Sequence, residues 1–151
     1  MKATQIFNNF CKYDENIAKI ARLVIKQMGG VSPDSLRELN SVRDASDGYT
    51  GFIWYTDTVA FWRRTRRVAI PYMEEEADGI GESSVLSMCK NFNYVKSHNI
   101  SESEIAKSLY GRMCDAGNDV NNLMAWYCLE SVAFRFNDFI YENDIDLNDA
   151  E

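Results

Sequence analysis

Histidine is almost missing from this sequence. The single one, His98, stands in a polar stretch. Ser-His-Asp and Cys-His catalysis are therefore excluded, since each needs an imidazole beside its nucleophile. Cysteine is sparse. Cys11, Cys89, Cys114 and Cys128 are scattered with no C-x-x-C pair. That spacing argues against a disulfide framework and against a zinc site, and points to buried or half-buried free thiols. Proline occurs twice, too rarely for a disordered chain. No apolar run approaches the roughly 20 residues of a membrane span. Met1-Lys2-Ala3-Thr4-Gln5 lacks the apolar stretch of a secretory signal, so a cytoplasmic location is expected. A phosphate-cradling loop is also missing, because Gly48-Tyr49-Thr50-Gly51 has neither the Lys nor the strand context of one. No cofactor and no metal are expected.

Positive charge is missing from one end. From Asp138 to Glu151 the acids are Asp138, Glu142, Asp144, Asp146, Asp149 and Glu151, with no Lys or Arg among them. The chain carries a formal net charge of -7, so this stretch holds most of the imbalance. It disfavours nucleic acid and favours a basic protein partner, with solubility alone as the bland alternative.

What is present is helical periodicity. The 151 residues, 46% of them hydrophobic, suffice for one domain with a core of its own. Ile17, Ile20, Ala21, Val24 and Met28 share a helix face, and Gly29-Gly30 stops it. Ser32-Pro33 restarts the chain as N-cap and first helical residue, and this second helix runs to about Asp44. Ser46 to Gly51 reads as a loop. Phe52-Ile53-Trp54-Tyr55 is open between strand and helix start. Thr56, Asp57 and Thr58 are N-cap types before a segment reaching about Asp78, which Pro71 should kink or split. Ser83 or Ser84, and the capping-box spacing at Ser101 to Glu104, open two further helices. A final helix runs from about Asp119 to Glu142. The expected fold is all-α, a single domain over 1–142 with about six helices around two long ones. Residues 143–151 are expected as a frayed acidic tail.

Two charges interrupt the apolar faces. Arg66 falls among Val59, Trp62, Ala69, Ile70, Met73 and Ala77. Glu130, with Asn137, falls among Leu123, Trp126, Leu129, Ala133, Phe134, Phe136, Ile140 and Tyr141. Ser131, Arg135, Asp138 and Glu142 form the wet face of that last helix. Opposite charges on the two longest helices suggest that Arg66 and Glu130 meet as a buried pair. A catalytic Glu130 is the sharper alternative, but a lone acid is not a site. The basic cluster Arg63 to Arg67 spreads over a wide arc and is followed by Glu74-Glu75-Glu76, which reads as surface ion pairing.

Gly51-Phe52-Ile53-Trp54-Tyr55-Thr56-Asp57-Thr58, the Arg-rich helix after it, Glu75-Glu76-Ala77 and Gly81 resemble small acidic proteins encoded by phages and prophages. Leu109-Tyr110-Gly111 and Ala125-Trp126-Tyr127 extend the likeness. The resemblance implies a protein acting inside a bacterial host cell that binds and inhibits host machinery, such as restriction or CRISPR systems. It carries over no functional residue. The expected function is a non-enzymatic inhibitor that engages a basic host protein through Asp138, Glu142, Asp144, Asp146 and Asp149. A second-choice binding loop comprises Asp47, Tyr49, Phe52, Trp54 and Asp57. The alternatives are an oligomeric phage accessory protein, self-associating around Phe52 and Trp54, and a small ligand-binding domain or enzyme with Arg66, Glu130 and Asp57 in a pocket.

Overall fold

The computed structural model describes residues 1–42, 57–76 and 120–151. Among the described residues every regular element is helical, and the fold class is all-α. The helices are α1 (Ala3–Tyr13), α2 (Glu15–Gln27), α3 (Pro33–Ser41), α4 (Thr58–Glu76) and α5 (Val120–Glu142), followed by a 3₁₀ turn, Leu147–Asp149. The chain divides into two compact units, where one domain is expected. The first comprises Met1–Thr56 and Cys128–Glu151, and the second comprises Asp57–Tyr127. Residues 143–151 belong with Cys128–Glu142 to the first unit.

In the first unit, α1 forms because Ala3, Ile6, Phe7, Phe10 and Cys11 recur at helical spacing and are all buried. Asp14 ends α1 and starts α2, its carboxylate accepting from the Ile17 N–H at 3.2 Å. The α2 stripe of Ile17, Ala18, Ile20, Ala21, Val24 and Ile25 is buried. Gly29 and Gly30, both at φ 95°, end it as expected. The Gly30 N–H reaches the Ile25 carbonyl and the Gly29 N–H the Lys26 carbonyl, the double closure of a Schellman motif. Ser32 then caps α3, with Pro33 in its first turn. Ser32 Oγ accepts from the Ser35 N–H at 3.0 Å, and Ser35 Oγ accepts from the Ser32 N–H at 2.9 Å. This reciprocal box satisfies two donors that the helix end leaves over.

An aromatic cluster joins α1 to the end of α5. Phe10 meets Phe136 edge-on, with centroids 5.2 Å apart, and touches Phe139 at 5.7 Å. Tyr13 meets Phe139 at 5.3 Å. Fully burying a Phe side chain contributes about 1.5–3 kcal/mol each by area transfer, so these rings dominate the local cohesion. Cys11 and Cys128 are buried free thiols, as the spacing predicts. Burial pushes the Cys11 thiol up, and Arg22 opposes this more weakly.

In the second unit, Asp57 caps α4, its carboxylate accepting from the Ala60 N–H at 3.1 Å. Pro71 lies inside α4 without splitting it. Among the described side chains of α4, Phe61, Trp62, Thr65, Ala69 and Ile70 are buried, whereas Val59 is exposed. The stripe therefore centres on Thr65 and Ala69, not on Arg66.

Arg66 is exposed and Glu130 half-buried, which corrects the expectation of two buried charges. Arg66 stands between buried Trp62 and Ile70 on the wheel, but its long side chain carries the charged end to water; Glu130 lies outside the stripe of Val132, Phe136 and Phe139. Neither is without a partner. Asn137, also expected inside the apolar arc, is half-buried and donates its amide to the Ala133 carbonyl at 2.7 Å.

Candidate functional site

The acidic segment is the site that the sequence singles out, and it is not a frayed tail. α5 ends in the same double closure as α2. The Ile145 N–H reaches the Ile140 carbonyl and the Asp144 N–H the Tyr141 carbonyl. Asp144 holds the left-handed position at φ 52°, where Gly is the usual residue. Asp146 then caps the 3₁₀ turn, its carboxylate accepting from the Asn148 N–H at 2.9 Å.

Three ties fix this segment to the helices of the first unit. Leu147 is buried. The Arg37 guanidinium donates to the Leu147 carbonyl at 3.1 Å while its other nitrogen holds Asp34. The Ala3 N–H donates to the Glu151 carbonyl at 2.9 Å, and the Glu151 N–H to the Met1 carbonyl at 3.2 Å. Buried apolar contact and satisfied backbone groups are what a frayed end lacks. The charges nonetheless face water: Glu142, Asp144, Asp146, Asp149 and Glu151 are all exposed.

Asp138 is different. It is half-buried, and Arg135 donates to it at 3.3 Å. The acidic stretch is thus partly answered from three positions upstream. Arg135 also donates from Nε to Asp14 at 2.5 Å, and its guanidinium lies 5.7 Å from the Tyr13 ring centroid. The hydrogen bond to Asp14 is the main cause holding the Arg135 pKa above its ordinary value; burial opposes it. Tyr13 in turn donates its hydroxyl to Glu142 at 2.5 Å. That bond raises the Tyr13 pKa, with desolvation and the Glu142 charge adding and Arg135 opposing.

Tyr13, Asp14 and Arg135 therefore brace the acidic end; sequence reasoning misses Tyr13 and Asp14, and places Arg135 on the wet face without its role. The signal for Asp14 is present, an N-cap type directly before Glu15. Its union with Arg135 joins positions 121 residues apart and leaves no local trace. Asp138, Glu142, Asp144, Asp146 and Asp149 all belong to the first unit. Asp57 belongs to the second unit and serves as a helix cap. Asp47, Tyr49, Phe52 and Trp54 lie outside the described residues, as do the helices expected from Ser83 and Ser101.

No group of three or more His, Cys, Asp or Glu among the described residues is placed to hold a metal ion. No helix among them is long and apolar enough to cross a membrane. Comparison with family models, curated proteins and solved structures gives no match.

Proposed function

We propose that this chain is a non-enzymatic binding protein that engages a basic host protein through its acidic C-terminal edge, as an inhibitor of the phage type. The observation that carries this reading is the docking of 143–151. Four carboxylates, Asp144, Asp146, Asp149 and Glu151, are exposed on a segment tied at Leu147, Arg37 and the Met1–Ala3 backbone. A surface ordered before binding loses less conformational entropy when it meets its partner. Exposed charge of one sign also steers an oppositely charged partner and raises its association rate. Asp144 supports the reading independently. An acid stands where Gly would adopt the left-handed backbone without strain.

The test is capture from a bacterial host lysate at low and high salt, read by mass spectrometry. The wild-type chain is expected to retain a basic protein that salt releases, because charges in water are screened beyond about 8 Å at physiological ionic strength. The variant D144G/D146N/D149N/E151Q keeps the helix closure and the Asn-compatible cap, and should capture less by slower association. Full capture by a chain lacking residues 143–151 would sink the reading.

A further inference from the structure

Along α5, Phe134 and Tyr141 point away from the core. They are 47% and 87% exposed. At 100° per residue, positions seven apart stand about 20° from one another on the wheel. They are about 10 Å apart along the axis. The two rings thus form one outward strip, on the face opposite buried Phe136 and Phe139. Asp138, which accepts from Arg135, lies beside the strip; Glu142, which accepts from the Tyr13 hydroxyl, follows Tyr141 in the chain, and Asp144 lies at the end of the helix, exposed.

We propose that this strip is a docking surface for an amphipathic basic segment of a partner protein, with apolar side chains seated on Phe134 and Tyr141 and cations against the flanking acids. The inference rests on the acidic-edge reading and adds the chemistry of the occupant. Large aromatics are the residues most often anchoring interfaces, and they cost little rotamer freedom. Charge decides between occupants. A second copy would set the same acids against themselves on a chain of net charge -7. An anionic lipid surface or nucleic acid would be repelled for the same reason. A segment with Lys or Arg flanking apolar residues satisfies both features.

The test uses two probes: a synthetic Lys/Leu peptide with helical amphipathic spacing, and poly-lysine of equal charge. Binding is measured by calorimetry and by amide chemical shifts of the full chain. The wild type should prefer the Lys/Leu peptide by about tenfold, the effect expected of one lost aromatic anchor. The variant F134S/Y141S should lose that preference while holding its poly-lysine affinity. An unchanged preference in that variant overturns the proposal. So does a wild-type dimer, seen by sedimentation, that the same variant dissolves. The variant D144G/D146N/D149N should weaken both probes. If it leaves both affinities unchanged while F134S/Y141S abolishes the preference, the acidic-edge reading falls and the aromatic strip stands.

Discussion

Phe134 and Phe136 lie two positions apart on α5, in opposite surroundings. Phe136 is 0% exposed and packs edge-on against Phe10, whereas nearly half of Phe134 is open to water. Residue type is identical, so phase decides. Within the first unit, from Cys128 onward, the buried stripe of this helix runs through Cys128, Leu129, Val132, Ala133, Phe136 and Phe139. A stripe of that width covers about half the wheel, and Phe134 and Tyr141 fall on the other half. The apolar arc drawn through Phe134, Phe136, Ile140 and Tyr141 is therefore out of phase: it takes in two exposed rings, leaves out buried Val132 and Phe139, and hides the feature most suggestive of a partner.

The largest effect expected from breaking this comparison is at Phe136. Phe136→Ala should cost about 3–5 kcal/mol in urea unfolding, through lost contact and the cavity left behind. Phe134→Ala should stay within about 0.5 kcal/mol. Equal losses would mean that the two faces are not distinct.

How far the sequence reveals this architecture varies by element. α2 and α3 are legible because their signals are local: an apolar stripe, Gly29-Gly30 at the stop, Ser32-Pro33 at the restart. α1 carries an equally plain stripe, Ala3, Ile6, Phe7, Phe10 and Cys11, which sequence reasoning passes over. The acids of the candidate site are legible as a composition, but their order is not. Docking of 143–151 depends on Arg37, 110 residues from the carbonyl it meets, and on backbone bonds to Met1 and Ala3. No periodicity encodes contacts of that kind. Arg66 illustrates the opposite failure. A wheel places it between Trp62 and Ile70, but cannot say that Thr65 takes the centre of the buried face.

A second comparison concerns Asp14, whose carboxylate serves two elements at once. One oxygen caps α2 and the other receives Arg135. Asp14→Ala should cost about 1–2 kcal/mol in the same unfolding assay, since caps alone contribute about 0.5–2 kcal/mol. Asp14→Asn keeps a good cap and loses only the charge, so its cost should be less than half as large. Equal costs would assign the whole effect to the ion pair.

The paired ends of α2 and α5 sharpen the contrast between a structural stop and a functional one. Gly29→Asp places at α2 the residue that α5 carries, and should destabilise by about 1 kcal/mol. Asp144→Gly should hold or slightly raise stability while removing one acid. A loss of stability in that variant would show that the Asp144 side chain is structural.

The smallest effect lies at Tyr13. Its pKa is raised, chiefly by the hydrogen bond to Glu142. That contact therefore contributes fully below the ordinary tyrosine value of about 10 and is lost as pH rises through the raised value. Ultraviolet titration of wild type against Tyr13→Phe should show that the substitution removes one late-ionising phenol. If no late phenol disappears in the variant, the bond does not persist in solution.

Amide hydrogen exchange across 143–151 tests the central claim most directly. A docked acidic edge predicts that the Ile145, Asp149 and Glu151 amides, which donate to Ile140, Asp146 and Met1, exchange more slowly than in a free peptide. Leu147→Ala should release that protection while leaving the amides of α2 slow. Exchange of all three at free-peptide rates in the wild type would contradict the account, leaving the acids as a loose tail with no fixed surface to offer a partner.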